Sequence, residues 1–116
     1  MLPKQYRLKK RNAFKATYKV KNSSHSGGVT LFAGLQKKDD TPTKVGFVVS
    51  KKVHKRAVKR NRLKRLMREC YRLHLKNGDL GNSQKYMSLI FLGTENALTK
   101  NFKDINKSIE KLLKEI

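Results

Sequence analysis

"VSKKVHKRAVKRNRLKRLMRE" occupies residues 49–69, and ten of the eighteen positions from Lys51 to Arg68 are lysine or arginine. Leu63, Leu66, Met67, Cys70 and Leu73 recur at spacings of three and four. That period predicts a helix over 57–76 with an apolar stripe, stopped by "NG" at 77–78. On a wheel of about 100° per residue, Asn61, Lys64, Arg65, Arg68 and Arg72 fall opposite the stripe, and Arg60 and Arg62 lie on its flanks. The helix therefore needs a dry partner on one side and carries nearly pure positive charge on the other. Glu69 is its only acid. This combination asks for a sheet beneath the stripe and an anion above the charge.

The flanking sequence supplies the sheet. "VTLFAGL" at 29–35 alternates as a strand, with Val29, Leu31, Ala33 and Leu35 on one side and Thr30, Phe32 and Gly34 on the other. "KVGFVVS" at 44–50 reads as a second strand with Val45, Phe47 and Val49 on one face, and the pair is expected to form an antiparallel hairpin across the polar loop 36–43. "YMSLIFL" at 86–92 is nearly all apolar, as a central strand buried on both faces is. Asn12 is the expected N-cap of a helix over 12–20, on which Phe14 and Tyr18 share a face. Thr99 is the expected N-cap of a last helix to about 115 with the stripe Phe102, Ile105, Ile109, Leu112 and Leu113. "KNSSHSGG" at 21–28 reads as turn, with room for one extra short strand. The expected architecture is α/β, an α+β sandwich in the order αβββαβα. A small four-stranded mixed sheet packs with three helices on one face.

The chain has 116 residues, 29 Lys+Arg and 8 Asp+Glu, for a formal net charge of +21. One domain is expected over 1–116, with a basic extended arm at 1–11 and the basic segment and helix at 51–76. A domain this basic is first a polyanion binder. Membrane binding would need the apolar stripe free to enter lipid, and the core claims that stripe. No apolar run approaches the roughly 18 residues of a membrane span, and "MLPKQYRLKK" has no apolar signal core. The single cysteine, Cys70, suits a reducing cytoplasm. His25, His54 and His74 are far apart, and no Cys, His or acidic spacing predicts a metal site.

The charge pattern narrows the partner. A merely solvated helix face interleaves Glu and Lys at i,i+4 for a few tenths of a kcal/mol per pair. Here Arg60, Lys64 and Arg68 place like charges at that spacing. Phosphates reverse the sign of this term and release counterions as they are neutralised. Arginine forks suit phosphate oxygens. Asn61 either reads a base edge or ribose, or is only a polar surface residue. Phe14, Tyr18 and Phe32 are either core or a stacking surface for a single strand.

The segment "RAVKRNRLKRLMRE" at 56–69 resembles the signature of the bacterial ribonuclease P protein subunit. Arg60, Asn61, Lys64, Arg65, Arg68 and Glu69 match its "RN..KR..RE" core without a gap. "YRLKKRNAF", "KVGFVVSKKV" and "LTKNFKDINKSIEKLL" are similar to the family's N-terminal segment, pre-helix strand and C-terminal helix. The resemblance implies a left-handed βαβ crossover around the basic helix. It implies an enzyme that removes the 5′ leader of precursor tRNA, with catalysis and Mg²⁺ in the RNA subunit. The protein would carry no catalytic residue and bind no metal of its own. It further implies RNA contacts from Lys51, Lys52, Arg56, Arg60, Asn61, Arg62, Lys64, Arg65 and Arg68. Phe14, Tyr18 and Phe32 would line a cleft for the single-stranded leader. The partners implied are the RNA subunit and precursor tRNA, without a membrane or a required protein partner. The chain departs from the pattern at "HKRA", 54–57, which lacks a glycine common there, and at "SGG", 26–28. A ribosomal protein and a metal-dependent nuclease are the rival readings; the second would need clustered carboxylates.

Overall fold

A computed structural model describes residues 2–116. The chain forms α1 (Arg11–Lys19), β1 (Asn22–Ser26), β2 (Val29–Ala33), β3 (Lys44–Val48), α2 (Ala57–Asn77), β4 (Ser88–Gly93) and α3 (Phe102–Glu115), with short 3₁₀ turns at Lys4–Tyr6, Gly81–Lys85 and Glu95–Ala97. The element order is the expected αβββαβα. The extra strand is β1, and its signal is the turn after it. Gly27 and Gly28 both have positive φ, 56° and 86°. Ser26 pairs with Val29 across them. A two-residue loop with both φ positive is the turn that matches strand twist, and glycine adopts it without steric cost.

The sheet order is β1-β2-β4-β3. The β1–β2 and β2–β4 pairs are antiparallel, and β3–β4 is parallel. The expected hairpin between residues 29–35 and 44–50 does not form, because β4 inserts between them. The reason is burial: Leu89, Ile90 and Phe91 are fully buried, and a strand apolar on both sides must sit inside the sheet. β3, α2 and β4 thereby form a parallel βαβ unit.

Successive residues in a strand face opposite sides. Val29, Leu31, Ala33, Val45, Leu89 and Phe91 join the main core with Leu63, Met67, Cys70 and Tyr71 of α2 and Ile105, Ile109, Leu112 and Leu113 of α3. Phe47 lies at 5.6 Å from Phe91 in a stacked pair, and Tyr71 meets Phe91 at 5.8 Å. The α2 stripe thus runs through Tyr71 and His74, while Leu66 and Leu73 are only half-buried. His74 lies 3.0 Å from the Asn106 amide oxygen, joining α2 to α3. α1 lies on the other face, not with the other helices as expected. Its Phe14 ring sits over Gly46 and its Tyr18 ring meets Phe32.

Other boundaries shift for local reasons. The helix α1 starts at Arg11 after Lys10, so Asn12 lies in its first turn rather than capping it. Asn101, not Thr99, caps α3, accepting the Asp104 N–H at 3.0 Å. Phe102 then begins the helix and is 37% exposed instead of core. Regular β2 ends at Ala33, and Leu35 and Met87 are left exposed beyond Gly34. The basic arm is packed rather than free. Leu2 and Leu8 are buried, the Leu8 N–H donates to the Val45 carbonyl at 2.9 Å, and Arg7 pairs alongside Val45. Two leucines and an open strand edge account for the docking.

Two tests follow from the packing. A Cβ on Gly28 would stand 2.7 Å from the Ala97 backbone nitrogen, whereas one on Gly78 meets nothing. Both glycines have positive φ. Gly78→Ala should cost about 1 kcal/mol and Gly28→Ala at least about 2 kcal/mol in urea unfolding. Burial raises the Cys70 thiol from its ordinary 9.0 to about 12. The unfolded thiol then ionises above pH 9 while the folded one keeps its proton, so its contribution is lost as pH rises toward 12. The stability difference between wild type and Cys70→Ala should shrink over that window. A constant difference would mean the thiol ionises in place.

Candidate nucleic-acid interface

Helix α2 carries the charge because its dry side is fully committed. Lys51 and Lys52 are exposed in the turn after β3, and Arg56 is exposed at the N-cap of α2. Asn61 and Arg65 are exposed, and Lys64 and Arg68 are half-buried. Of the chain's 29 lysines and arginines, only Arg72, Lys111 and Lys114 reach a carboxylate among the described residues. The basic run from Lys51 along α2 to Arg68 is therefore without carboxylate partners among the described residues. Glu69, the acid of the motif, is taken by Arg72, whose Nε lies 3.2 Å from both its oxygens. The bond to Arg72 lowers the Glu69 pKa below its ordinary value, so the pair stays charged.

Two arginines of the motif do internal work. The Arg60 guanidinium donates to the His54 and Lys55 carbonyls at 2.8 and 3.0 Å. The Arg56 N–H donates to the His54 ring at 3.1 Å. These bonds hold the "HKRA" turn in the absence of a glycine. The Arg62 guanidinium donates to the Leu98 and Lys100 carbonyls at 3.2 and 3.3 Å, tying α2 to the approach to α3. Sequence patterning shows that a side chain is cationic and outward, and says nothing of backbone carbonyls 36 or 38 positions away.

The three aromatics come together on the opposite sheet face. Phe32, Ile90 and Gly46 are aligned across β2, β4 and β3. Tyr18 makes an edge contact with Phe32 at 4.9 Å and stays 36% exposed. A Cβ on Gly46 would stand 2.6 Å from the Phe14 ring. α1 thus clasps this row at both ends and buries Ile90. The next row, Thr30, Leu92 and Val48, is only half-buried, and it forms an open floor beside α1. His25 is exposed at its end, 2.8 Å from the Thr30 hydroxyl. Sequence reasoning singled out Phe32 but not this neighbouring row; the strand period from Phe32 to Thr30 was the available signal. Arg68 and Phe14 line one small pocket of about 180 Å³ with Arg7, Lys9 and Phe47. The aromatic groove and the basic helix therefore meet at the β3 edge. A separate, mostly apolar pocket of about 490 Å³ lies on the other flank of α1, between Ala16, Leu35 and Met87, and contains none of these residues.

Among the described residues no three His, Cys, Asp or Glu side chains gather in a way that could hold a metal ion, and no helix is long and apolar enough to cross a membrane.

Residues 2–116 match the family model described as Ribonuclease P. The chain belongs to the ribonuclease P protein family. Curated relatives named ribonuclease P protein component agree. One from Synechococcus is 36% identical over 97% of this chain and 83% of its own length. One from Clostridium kluyveri is 35% identical over 94% and 92%. The Staphylococcus aureus RNase P protein structure superposes with a TM-score of 0.77 at 29% identity, covering 96% of this chain and 94% of that one. The Thermotoga maritima protein, at 24% identity and a TM-score of 0.76, shares the fold. Membership associates the chain with ribonuclease P and gives it a part in tRNA processing.

Gly46→Ala tests the groove. The added methyl should push the Phe14 ring off β3, cost about 1–3 kcal/mol, and speed amide exchange in α1 more than in α3. Equal exchange in both helices would mean that Phe14 does not hold α1.

Proposed function

We propose that the chain is the protein subunit of ribonuclease P, which assists an RNA-catalysed, Mg²⁺-dependent endonucleolytic removal of the 5′ leader from precursor tRNA in the cytoplasm. The observation that carries this reading is the run of cations from Lys51 to Arg68, none of which pairs with a carboxylate among the described residues, in a chain of net charge +21. Its like charges at i,i+4 repel one another until phosphates neutralise them, and each phosphate contact then releases counterions. Lys51, Lys52, Arg56, Asn61, Lys64, Arg65 and Arg68 face the RNA subunit in this reading. Arg60 and Arg62 have donors left over from their carbonyl bonds for the same surface.

The groove of Phe14, Tyr18 and Phe32 holds the single-stranded leader. Its exposed Tyr18 edge and half-buried floor suit the flat faces of unpaired bases, which stack on aromatic rings for about 1–3 kcal/mol each. Arg68 beside Phe14 supports one continuous path from the leader to the RNA subunit. Among the described residues the acids are scattered, and no three His, Cys, Asp or Glu side chains gather around a point where a metal ion could sit. Mg²⁺ is assigned to the RNA in this reading. The protein binds, orients and offsets phosphate repulsion.

Reconstitution with a ribonuclease P RNA subunit and a precursor tRNA tests the assignment. Arg65→Ala or Arg68→Ala should weaken binding of the RNA subunit and reduce the slope of log affinity against log salt by about 1. An unchanged slope would remove the phosphate contact. Phe14→Ala or Phe32→Ala should instead narrow the preference for precursor over mature tRNA, about 5-fold or more, as one lost stacking contact requires. Equal preference in wild type and both variants would remove the leader groove.

A further inference from the structure

Phe102 is the residue that the groove and the basic helix leave unexplained. Its spacing with Ile105 and Ile109 promises burial, yet Phe102 stands at the first position of α3, directly after the Asn101 cap, and is 37% exposed. Its surroundings are unusual in one respect. The Arg62 guanidinium, itself exposed, is pinned on the Leu98 and Lys100 carbonyls, and Lys100 is two positions before Phe102. Val58, one turn before Arg62 on α2, is 77% exposed. Lys103 and Lys107 are exposed along the same half of α3. Glu95 and Asp104 are the local acids, and neither pairs with a cation among the described residues. The ion pairs of α3 lie in its other half, at Lys111–Glu115 and Lys114–Glu110. One half of α3 is thus balanced internally, and the half beside Arg62 is not.

We infer that Phe102 and Arg62 form a second nucleobase-stacking site, separate from the α1 groove, for an unpaired base of RNA. This rests on the RNA-binding function proposed above. A base has two flat faces and a phosphate on its sugar. An exposed phenyl ring and a planar guanidinium both offer flat faces, and Lys103 and Lys107 offer charge for the phosphate. The two carbonyl bonds fix Arg62 before RNA arrives, so little of its side-chain freedom remains to be lost on binding. They also leave guanidinium N–H groups free to donate to a base edge or a phosphate. An aromatic exposed beside unpaired cations is the arrangement of single-strand platforms. A hydrophobic contact with another protein would not use the cations.

The chain contains no tryptophan, so Phe102→Trp introduces a single reporter. Met87→Trp, at the exposed Met87 on the far flank of α1, serves as the control. Saturation with the ribonuclease P RNA subunit, or in a separate arm with precursor tRNA, should quench the indole fluorescence of the Phe102→Trp variant at least about 2-fold and shield it from acrylamide, leaving the control unchanged. The arm that quenches identifies which RNA supplies the base. Phe102→Leu retains an apolar contact without a flat ring. It should keep its thermal midpoint, weaken binding of that RNA about 5- to 150-fold, as one lost stack requires, and leave the salt slope unchanged. Quenching in neither arm, equal quenching of both reporters, or unchanged affinity of Phe102→Leu would overturn the site. So would a change in oligomeric state without a change in RNA affinity. If the wild-type protein bound neither RNA, the function itself would fall, an outcome distinct from all of these.

Discussion

The contact that the rest of the molecule depends on is the aromatic seam under α2. Phe47 and Phe91 stack at 5.6 Å with planes 9° apart, and Tyr71 closes on them from the helix at 6.2 and 5.8 Å. Such pairs contribute about 0.5–1.5 kcal/mol each beyond their buried area. They must hold in place a helix whose outer side repels itself. With Leu63, Met67 and Cys70 completely buried beside them, the dry side of α2 is rigid. A rigid helix can present Asn61, Lys64, Arg65 and Arg68 in fixed register to a partner with its own fixed spacing of charge. Core packing and the proposed RNA contact are two sides of one element.

Much of this was legible before any coordinates. The 3.6-residue period of α2, the apolar run of β4 and the alternation of β2 each follow from which residues must leave water. What was not legible depends on which strand neighbours which. Periodicity reports burial and is silent about partners, so residues 29–35 and 44–50 looked like a hairpin until β4 claimed the position between them. β1 is polar throughout and hid from a hydrophobic reading, though Gly27–Gly28 marked its end. The N-terminal arm looked free because its charge outweighs Leu2 and Leu8. Burial of two leucines against an open strand edge was enough to dock it.

The candidate site divides in the same way. The cationic side of α2 is a one-dimensional pattern and was visible in the sequence, and the resemblance to ribonuclease P proteins came from the same residues. The groove is a product of pairing. Tyr18 on Phe32 and Phe14 on Gly46 become neighbours only through the sheet order, and the open row of Thr30, Leu92 and Val48 draws on three strands. Arg60 and Arg62 show the limit most clearly. In sequence they differ from Arg65 only in lying on the flanks of the stripe rather than opposite it. In the fold their guanidinium groups close two loops from within.

The way the sheet ends on both sides bears on the life of the protein before it meets a partner. At one margin stands β1, a strand of serines, an asparagine and a histidine. At the other, the backbone of Arg7 and Leu8 already occupies part of β3. Neither margin offers the long, flat, oily ribbon on which stray chains polymerise. Mutual repulsion among copies adds a second barrier. The sheet margins and the charge thus work together: a fold whose edges are closed and whose copies repel one another offers a second chain no strand to extend.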